Sequence, residues 1–166
     1  MEIVLVLHNI RSCYNVGAIL RSAEGFGVSK VVLSGYTPRI HDQNLLPHLR
    51  EKLDKEIHKT ALGAEDMLET EVTEDLKALL SNYKSLNFQI VGLENNIKQE
   101  LCQINDPKLK EKLGQKIVLI LGEEVDGISP DFYELIDTFV EIPMKGQKES
   151  FNVSVAAGIA LYGILC

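Results

Sequence analysis

Three polar stretches hold the residues whose types and spacing suit chemistry. The first is "RSCYNVGAILRS", residues 11–22, where Asn15 precedes Arg21 by six positions. The second is "LGEEVDGISP", residues 121–130, where an apolar run passes straight into Gly122, Glu123, Glu124 and Gly127. The third is "EIPMKGQKESFNVSVAAG", residues 141–158, with Ser150 and Asn152 ahead of a run of small residues. An arginine offers a permanent planar charge, and beside a helix N-terminus it would make an anion site. Gly122 allows a backbone to approach a ligand, and Gly127 suits a tight turn. Lys145 and Lys148 make the third loop positive, which favours phosphate.

Each of these residues also has a plain structural reading. Counting from Val16 at ~100° per residue, Arg21 lies ~140° round the helix, off the core stripe, as an ordinary surface arginine would. Asn15, Ser150 and Asn152 all suit helix N-caps. The two glutamates fit a strand-to-helix connection. Neither G-x-G-x-x-G nor G-x-x-x-x-G-K-[ST] occurs, which disfavours a dinucleotide-binding enzyme and a Walker-type triphosphatase.

The elements that must position these stretches follow from the apolar pattern. Residues 3–7 and 117–122 are short apolar runs of the kind buried parallel strands show. Residues 31–34, 88–94 and 139–143 read as further strands. Asn15 is the expected cap of a helix whose Val16, Ile19, Leu20 and Ala23 share one face, ended by Gly25 and Gly27. That strand–helix–strand spacing is a βαβ unit. Residues 35–59 are polar with two prolines and read as a long surface excursion. Residues 73–83 read as a helix capped by Thr73 with Glu74 and Asp75 in its first turn, and residues 130–136 as a short helix with proline first. Residues 98–115 are charged, broken by Pro107, and support no assignment. Residues 152–165 form a final helix that is apolar almost all round, so it must be buried on more than one side, and a subunit interface is a natural second side. Alternating strands and helices argue for an α/β fold with a mostly parallel sheet.

The 166 residues, 45% of them apolar and 25% charged, suit one compact domain, residues 1–166. The net charge of −7 argues against holding nucleic acid by bulk electrostatics. The acid is concentrated: residues 1–60 carry +2, residues 61–141 carry −10 and residues 142–166 carry +1. If the two ends meet, a small basic surface survives on an acidic protein. There is no signal-like or membrane-length segment, and Cys13, Cys102 and Cys166 are odd in number and far apart. A cytoplasmic protein with reduced thiols, no membrane and no metal site is expected.

In this order, the three stretches resemble the three motifs of the SpoU (TrmH-like) RNA ribose 2′-O-methyltransferases of the SPOUT superfamily. Asn15 and Arg21 match the first motif, and Gly122, Glu124 and Gly127 the second. Ile142, Pro143, Met144, Ser150, Asn152, Val153, Ser154 and Ala156 match the third, with Phe151 where leucine is more usual. The resemblance implies a parallel-sheet fold with a C-terminal deep trefoil knot, S-adenosylmethionine as methyl donor, a tRNA or rRNA substrate, and a homodimer with a shared site. It implies donor contacts at Leu121, Gly122, Glu123, Gly127, Ile142, Met144, Ser150, Phe151, Asn152 and Val153. It gives catalytic roles to Arg21, Asn15, Glu124, Ser150 and Asn152, with Arg21 completing the neighbouring subunit's site. An arginine keeps its proton to above pH ~12, so positioning phosphate or steadying an alkoxide is the conservative role and general base the bolder one. No separate RNA-binding domain is expected. The RNA surface would then be Arg11, Lys30, Arg39, His41, His48, Arg50 and Lys52. The alternative is a non-catalytic dimeric RNA-binding module that keeps the fold. Retention of Asn15, Arg21, Glu124, Ser150 and Asn152 speaks against it.

Overall fold

The computed structural model describes residues 1–166. Seven strands form one sheet in the order β3-β2-β1-β6-β4-β7-β5, and every pairing is parallel. The strands are β1 (Glu2–His8), β2 (Lys30–Ser34), β3 (Thr70–Thr73), β4 (Gln89–Leu93), β5 (Leu101–Gln103), β6 (Lys116–Leu121) and β7 (Thr138–Glu141). β1 lies between β2 and β6, in register from Val4↔Lys30 to His8↔Ser34 on one side and from Glu2↔Lys116 to Leu7↔Leu121 on the other. Strands so placed are buried on both faces. This is why β1 and β6 read as unbroken apolar runs.

Helices cover both faces, in three layers. Ile3, Leu5 and Leu7 of β1 face α1 (Cys13–Gly25), α2 (Pro47–Ala61), the single turn α4 (Leu109–Lys112) and α5 (Val153–Leu165). Val4 and Val6 face α3 (Leu76–Ser85) and the 3-10 helix Pro130–Leu135. The expected α1 stripe of Val16, Ile19, Leu20 and Ala23 is fully buried.

Several expectations need correction. Ser12, not Asn15, caps α1, its hydroxyl accepting the Asn15 backbone N–H at 3.3 Å. Asn15 sits inside the first turn, where its side chain is free for another partner. Asp75, not Thr73, caps α3, because Thr73 still belongs to β3. The element at 130–136 is a 3-10 helix, capped by Ser129 with Pro130 in its first turn. The largest miss is residues 35–59, more than half of which are helix. α2 begins at Pro47, whose missing N–H costs nothing in a first turn. Only Ile57 and Ala61 of its residues are buried, with Leu53 packed beside them. That sparse i, i+4, i+8 stripe was present in the sequence but diluted by charge.

α1 and α2 approach closely at Gly17, where an added Cβ would run into the Ile57 carbonyl and the Thr60 hydroxyl. The Thr60 hydroxyl also donates to the Tyr14 carbonyl at 2.9 Å. Gly17→Ala therefore lowers stability by about 1–2 kcal/mol despite alanine's better helix propensity, because overpacking outweighs it. Gly25→Ala, with nothing within 4 Å, serves as the control and is neutral or stabilising. Urea unfolding midpoints of both variants check this.

Candidate active site

Because all strands run the same way, the C-terminal ends of β1, β4, β6 and β7 finish on one edge of the sheet, where open α/β folds place their ligands. A cavity of about 340 Å³ opens there. Its walls come from the end of β4 and the turn beyond (Leu93, Glu94, Asn95), the end of β6 and the turn beyond (Leu121–Val125 and Gly127), Ile142 after β7, and the entry to α5 (Ser150–Val153 and Ala156). The second and third sequence stretches thus face one another across a single space.

The turn after β6 is narrow. Glu123 and Gly127 exchange both backbone hydrogen bonds at 3.0 Å, and Gly127 adopts a left-handed φ of 69°. A Cβ on Gly122 would collide with the backbone of Gly127 and Ile128, so the loop closes only over glycine. Glu94 fills the concave side. Its carboxylate accepts the Ile128 N–H at 2.7 Å and lies where a Gly127 side chain would stand. Asn95 holds the loop after β7 by a two-way bond, donating to the Ile142 carbonyl at 2.8 Å and accepting the Ile142 N–H at 3.2 Å. Sequence reasoning missed Leu93, Glu94 and Asn95. Their signal was position: the last residue of a buried parallel strand and the two polar residues directly after it.

The first stretch joins the other two through side chains. Glu124 accepts the backbone N–H of Arg11 at 3.2 Å, that of Ser12 at 3.4 Å, and the Asn15 amide at 3.3 Å. Asn15 in turn accepts the Asn152 amide at 3.2 Å. Asn152 caps α5, its carbonyl oxygen accepting the Ser154 N–H at 2.9 Å. A continuous chain Glu124–Asn15–Asn152 therefore links three segments, Asn15 lying 109 and 137 positions from its two partners. Burial alone would raise the Glu124 carboxyl, but the Arg11 and Glu124 backbone N–H groups, the Asn15 amide and the Ser12 N–H outweigh it and hold the group below its ordinary value. The positive end of α1 is thus occupied by the protein's own carboxylate and is not an open anion site.

Arg21 stands in the third turn of α1, exposed, and outside its own chain's cavity. Met144 follows Ile142 but does not line the cavity. Of the basic residues, Arg11 is at the site, ion-paired with Glu123 at 3.4 Å. The others lie elsewhere. Lys30 starts β2, at the opposite edge of the sheet, and is held by Glu69 and Glu71 at 2.8 and 3.1 Å. Arg39 pairs with Glu74. His41 bridges Asp54 and Asp66 at 3.0 and 3.2 Å, and these bonds, Asp66 first, raise its pKa. Arg50 donates to Gln43, while His48 and Lys52 are exposed on α2. Most of these charges are already neutralised by neighbouring acids.

A family model described as SpoU rRNA Methylase matches residues 2–162. The chain belongs to the SpoU rRNA Methylase family. Among curated SpoU relatives, the 23S rRNA (guanosine-2′-O-)-methyltransferase RlmB of Xylella fastidiosa is 32% identical over 160 residues, which is 96% of this chain and 57% of that protein. The Nitrosomonas europaea protein of the same name is also 32% identical, with 54% of its length matched. The chain thus spans just over half the length of these relatives. The A. aeolicus TrmH/SpoU tRNA modifying enzyme superposes with a TM-score of 0.77 at 24% identity, covering 99% of this chain and 74% of that one. The AdoMet-bound rRNA methyltransferase of Sinorhizobium meliloti gives 0.78 at 19% identity, covering 98% and 55%. The α/β fold with a parallel seven-stranded sheet is therefore that of SpoU proteins. No helix is long and apolar enough to cross a membrane.

Because the carboxyl of Glu124 is lowered on folding, its contribution is present above the ordinary glutamate pKa of about 4.3 and is lost as pH falls through the still lower folded value. The stability gap between wild type and Glu124→Gln is therefore full at neutral pH and closes as the solution is acidified below pH ~4. Parallel thermal melts of the two proteins across that range measure it.

Proposed function

We propose that this chain is an S-adenosylmethionine-dependent RNA methyltransferase that modifies a ribose 2′-hydroxyl, with ribosomal RNA as its first substrate class and transfer RNA second. Family membership and the 23S rRNA relatives support the activity and the substrate class. The observation that carries the reading is that the second and third motifs line one cavity, and that Asn15 of the first is hydrogen-bonded to two of its wall residues, Glu124 and Asn152.

The cavity suits the methyl donor. About 340 Å³ lies within the range of small-molecule sites. Leu93, Leu121, Ile142, Phe151, Val153 and Ala156 offer apolar surface for an adenine ring. Gly122, Glu123, Gly127, Ser150 and Asn152 supply backbone and polar groups for ribose and methionine, and Met144 follows in the same loop. S-adenosylmethionine supplies an electrophilic methyl group on a sulfonium and its own leaving group. The protein's task is then to align the ribose hydroxyl and accommodate its proton. Asn15 and Ser150 orient the ribose, Glu124 and Asn152 hold Asn15, and Arg21 positions the adjoining phosphate and steadies the developing alkoxide.

Arg21 reaches a cavity in this scheme only by crossing to a second subunit. Two features support a homodimer with shared sites. Arg21 is exposed on α1 and does not line its own chain's cavity, and α5, packed against α1, leaves Val155 and Tyr162 exposed at 49% and 63%. The C-terminal segment is read as threaded in the family's trefoil knot, and the protein as cytoplasmic, with Cys13, Cys102 and Cys166 as free thiols.

Labelled S-adenosylmethionine with unmodified ribosomal and transfer RNA transcripts, followed by mapping of 2′-O-methyl sites, tests the reading. Wild type labels ribosomal RNA, and Arg21→Ala loses at least ~100-fold in kcat while keeping donor affinity. Labelling confined to transfer RNA would reverse the substrate order, and equal labelling by the variant would remove Arg21 from the reaction. The shared site has its own check. Arg21→Ala and Asn152→Ala are each inactive, yet co-expressed 1:1 they recover up to about a quarter of wild-type activity, because half the dimers are mixed and each holds one intact site.

A further inference from the structure

We propose that Tyr36, with the Arg11 guanidinium over one face of its ring, is a stacking platform for a nucleobase of the RNA substrate at the mouth of the cavity. The proposal rests on the methyltransferase reading for its substrate, and on the following geometry for its place.

Tyr36 follows β2 in a turn fastened to the end of β1 at several points. Asn9 and Gly35 both adopt left-handed φ values, 59° and 62°. The Asn9 side-chain oxygen accepts the Tyr36 backbone N–H at 3.2 Å and fills the space a Gly35 side chain would need. Thr37, buried, donates to the Leu7 carbonyl at 2.9 Å and accepts the Ile10 N–H at 3.1 Å. The far end of the side chain is fixed too, since the phenol donates to Glu123, a wall residue of the cavity. Arg11 sits 5.9 Å from the ring centroid and reaches the same Glu123 oxygen at 3.4 Å. Despite all this Tyr36 remains 49% exposed and belongs to neither apolar core.

A rigid aromatic ring that is half-exposed beside a cationic plane leaves much of its apolar surface uncovered in the free protein. Its order is already established before binding, so a partner that covers it loses little further entropy. RNA bases that are splayed from a helix stack on such rings and on guanidinium planes, and each stacked base contributes roughly 1–3 kcal/mol with little regard to its identity. The platform would hold the base of the target nucleotide, or of its neighbour, while the ribose enters the cavity. It also suits an acidic protein, because stacking needs no bulk positive field.

Bracing of Glu123 is the competing role, and Tyr36→Phe separates the two: it removes the hydroxyl and keeps the ring. The measurement is fluorescence anisotropy at low salt with a fluorescein-labelled single-stranded RNA 12-mer and an abasic ribose-phosphate strand of the same length. Wild type favours the base-bearing strand. Tyr36→Ala weakens that strand roughly 5- to 100-fold and leaves the abasic strand unchanged, while Tyr36→Phe stays within about twofold of wild type. The proposal is overturned if wild type shows no base preference, if alanine weakens both strands alike or neither, or if phenylalanine loses as much as alanine. Loss of base preference in Tyr36→Ala together with no methyl transfer by wild type would keep the platform and remove the catalytic reading. Methyl transfer with an unchanged RNA KM in Tyr36→Ala would do the reverse.

Discussion

One carboxylate organises the site. Glu124 leaves the end of β6 and takes donors from Arg11, Ser12 and Asn15 at the start of α1. A carboxylate at the positive end of a helix is favoured by the aligned peptide dipoles and by N–H groups that lack partners within the helix. Once α1 is docked there, Asn15 meets Asn152, and the start of α5 is drawn into line. The cavity is the space left between these anchored pieces and the glycine turn beneath them. Each contact is modest by itself, but each holds the partner of the next, so the set acts together.

The anchors succeed because the sheet is stiff at the right place. β1, β6 and β4 are adjacent, parallel and closed to water on both faces. Their ends cannot shift singly without opening a core packed on each side. Polar turns that start from such ends inherit that rigidity. Glu94 and Asn95 extend it by tying the turns after β6 and β7 to the end of β4. Backbone groups are thereby presented by loops that glycine makes narrow. Glu94, Glu123 and Glu124 are the charged residues of the cavity walls, and the rest are apolar, glycine, serine and asparagine. The cluster of bases around α2 has a different character, since acids within the same region already hold Arg39 and His41.

Legibility of the sequence followed the length scale of the forces. Buried parallel strands leave unbroken apolar runs, so β1 and β6 were plain, and the α1 stripe stood out at 3.6-residue spacing. Pro130 and Asn152 signalled the elements they begin through local chemistry alone. α2 was hidden because only Ile57 and Ala61 are buried in a helix otherwise turned to water, and loop-like composition outweighed a short stripe. β3 and β5 were hidden because edge strands of three or four residues carry no periodicity. Asn15 looked like a cap because it has a cap's chemistry. Ser12 took that role, and the asparagine was left to join Glu124 and Asn152.

By itself, the sequence determined the α/β class, the strands of the sheet centre, and the motif residues with their family resemblance. All of these are written within a few positions of one another, where periodicity and spacing operate. The tertiary structure decided which of those residues meet. Asn15 and Glu124 are 109 positions apart, and Asn15 and Asn152 are 137 apart. Their contact depends on β1 being inserted beside β6, which no local pattern states. The structure likewise decided that Arg21 stands outside its own chain's cavity, that Lys30 lies at the far edge, and that Tyr36 is pinned beside Glu123. Each follows from the direction of a strand or the turn of a helix fixed by packing over the whole sheet.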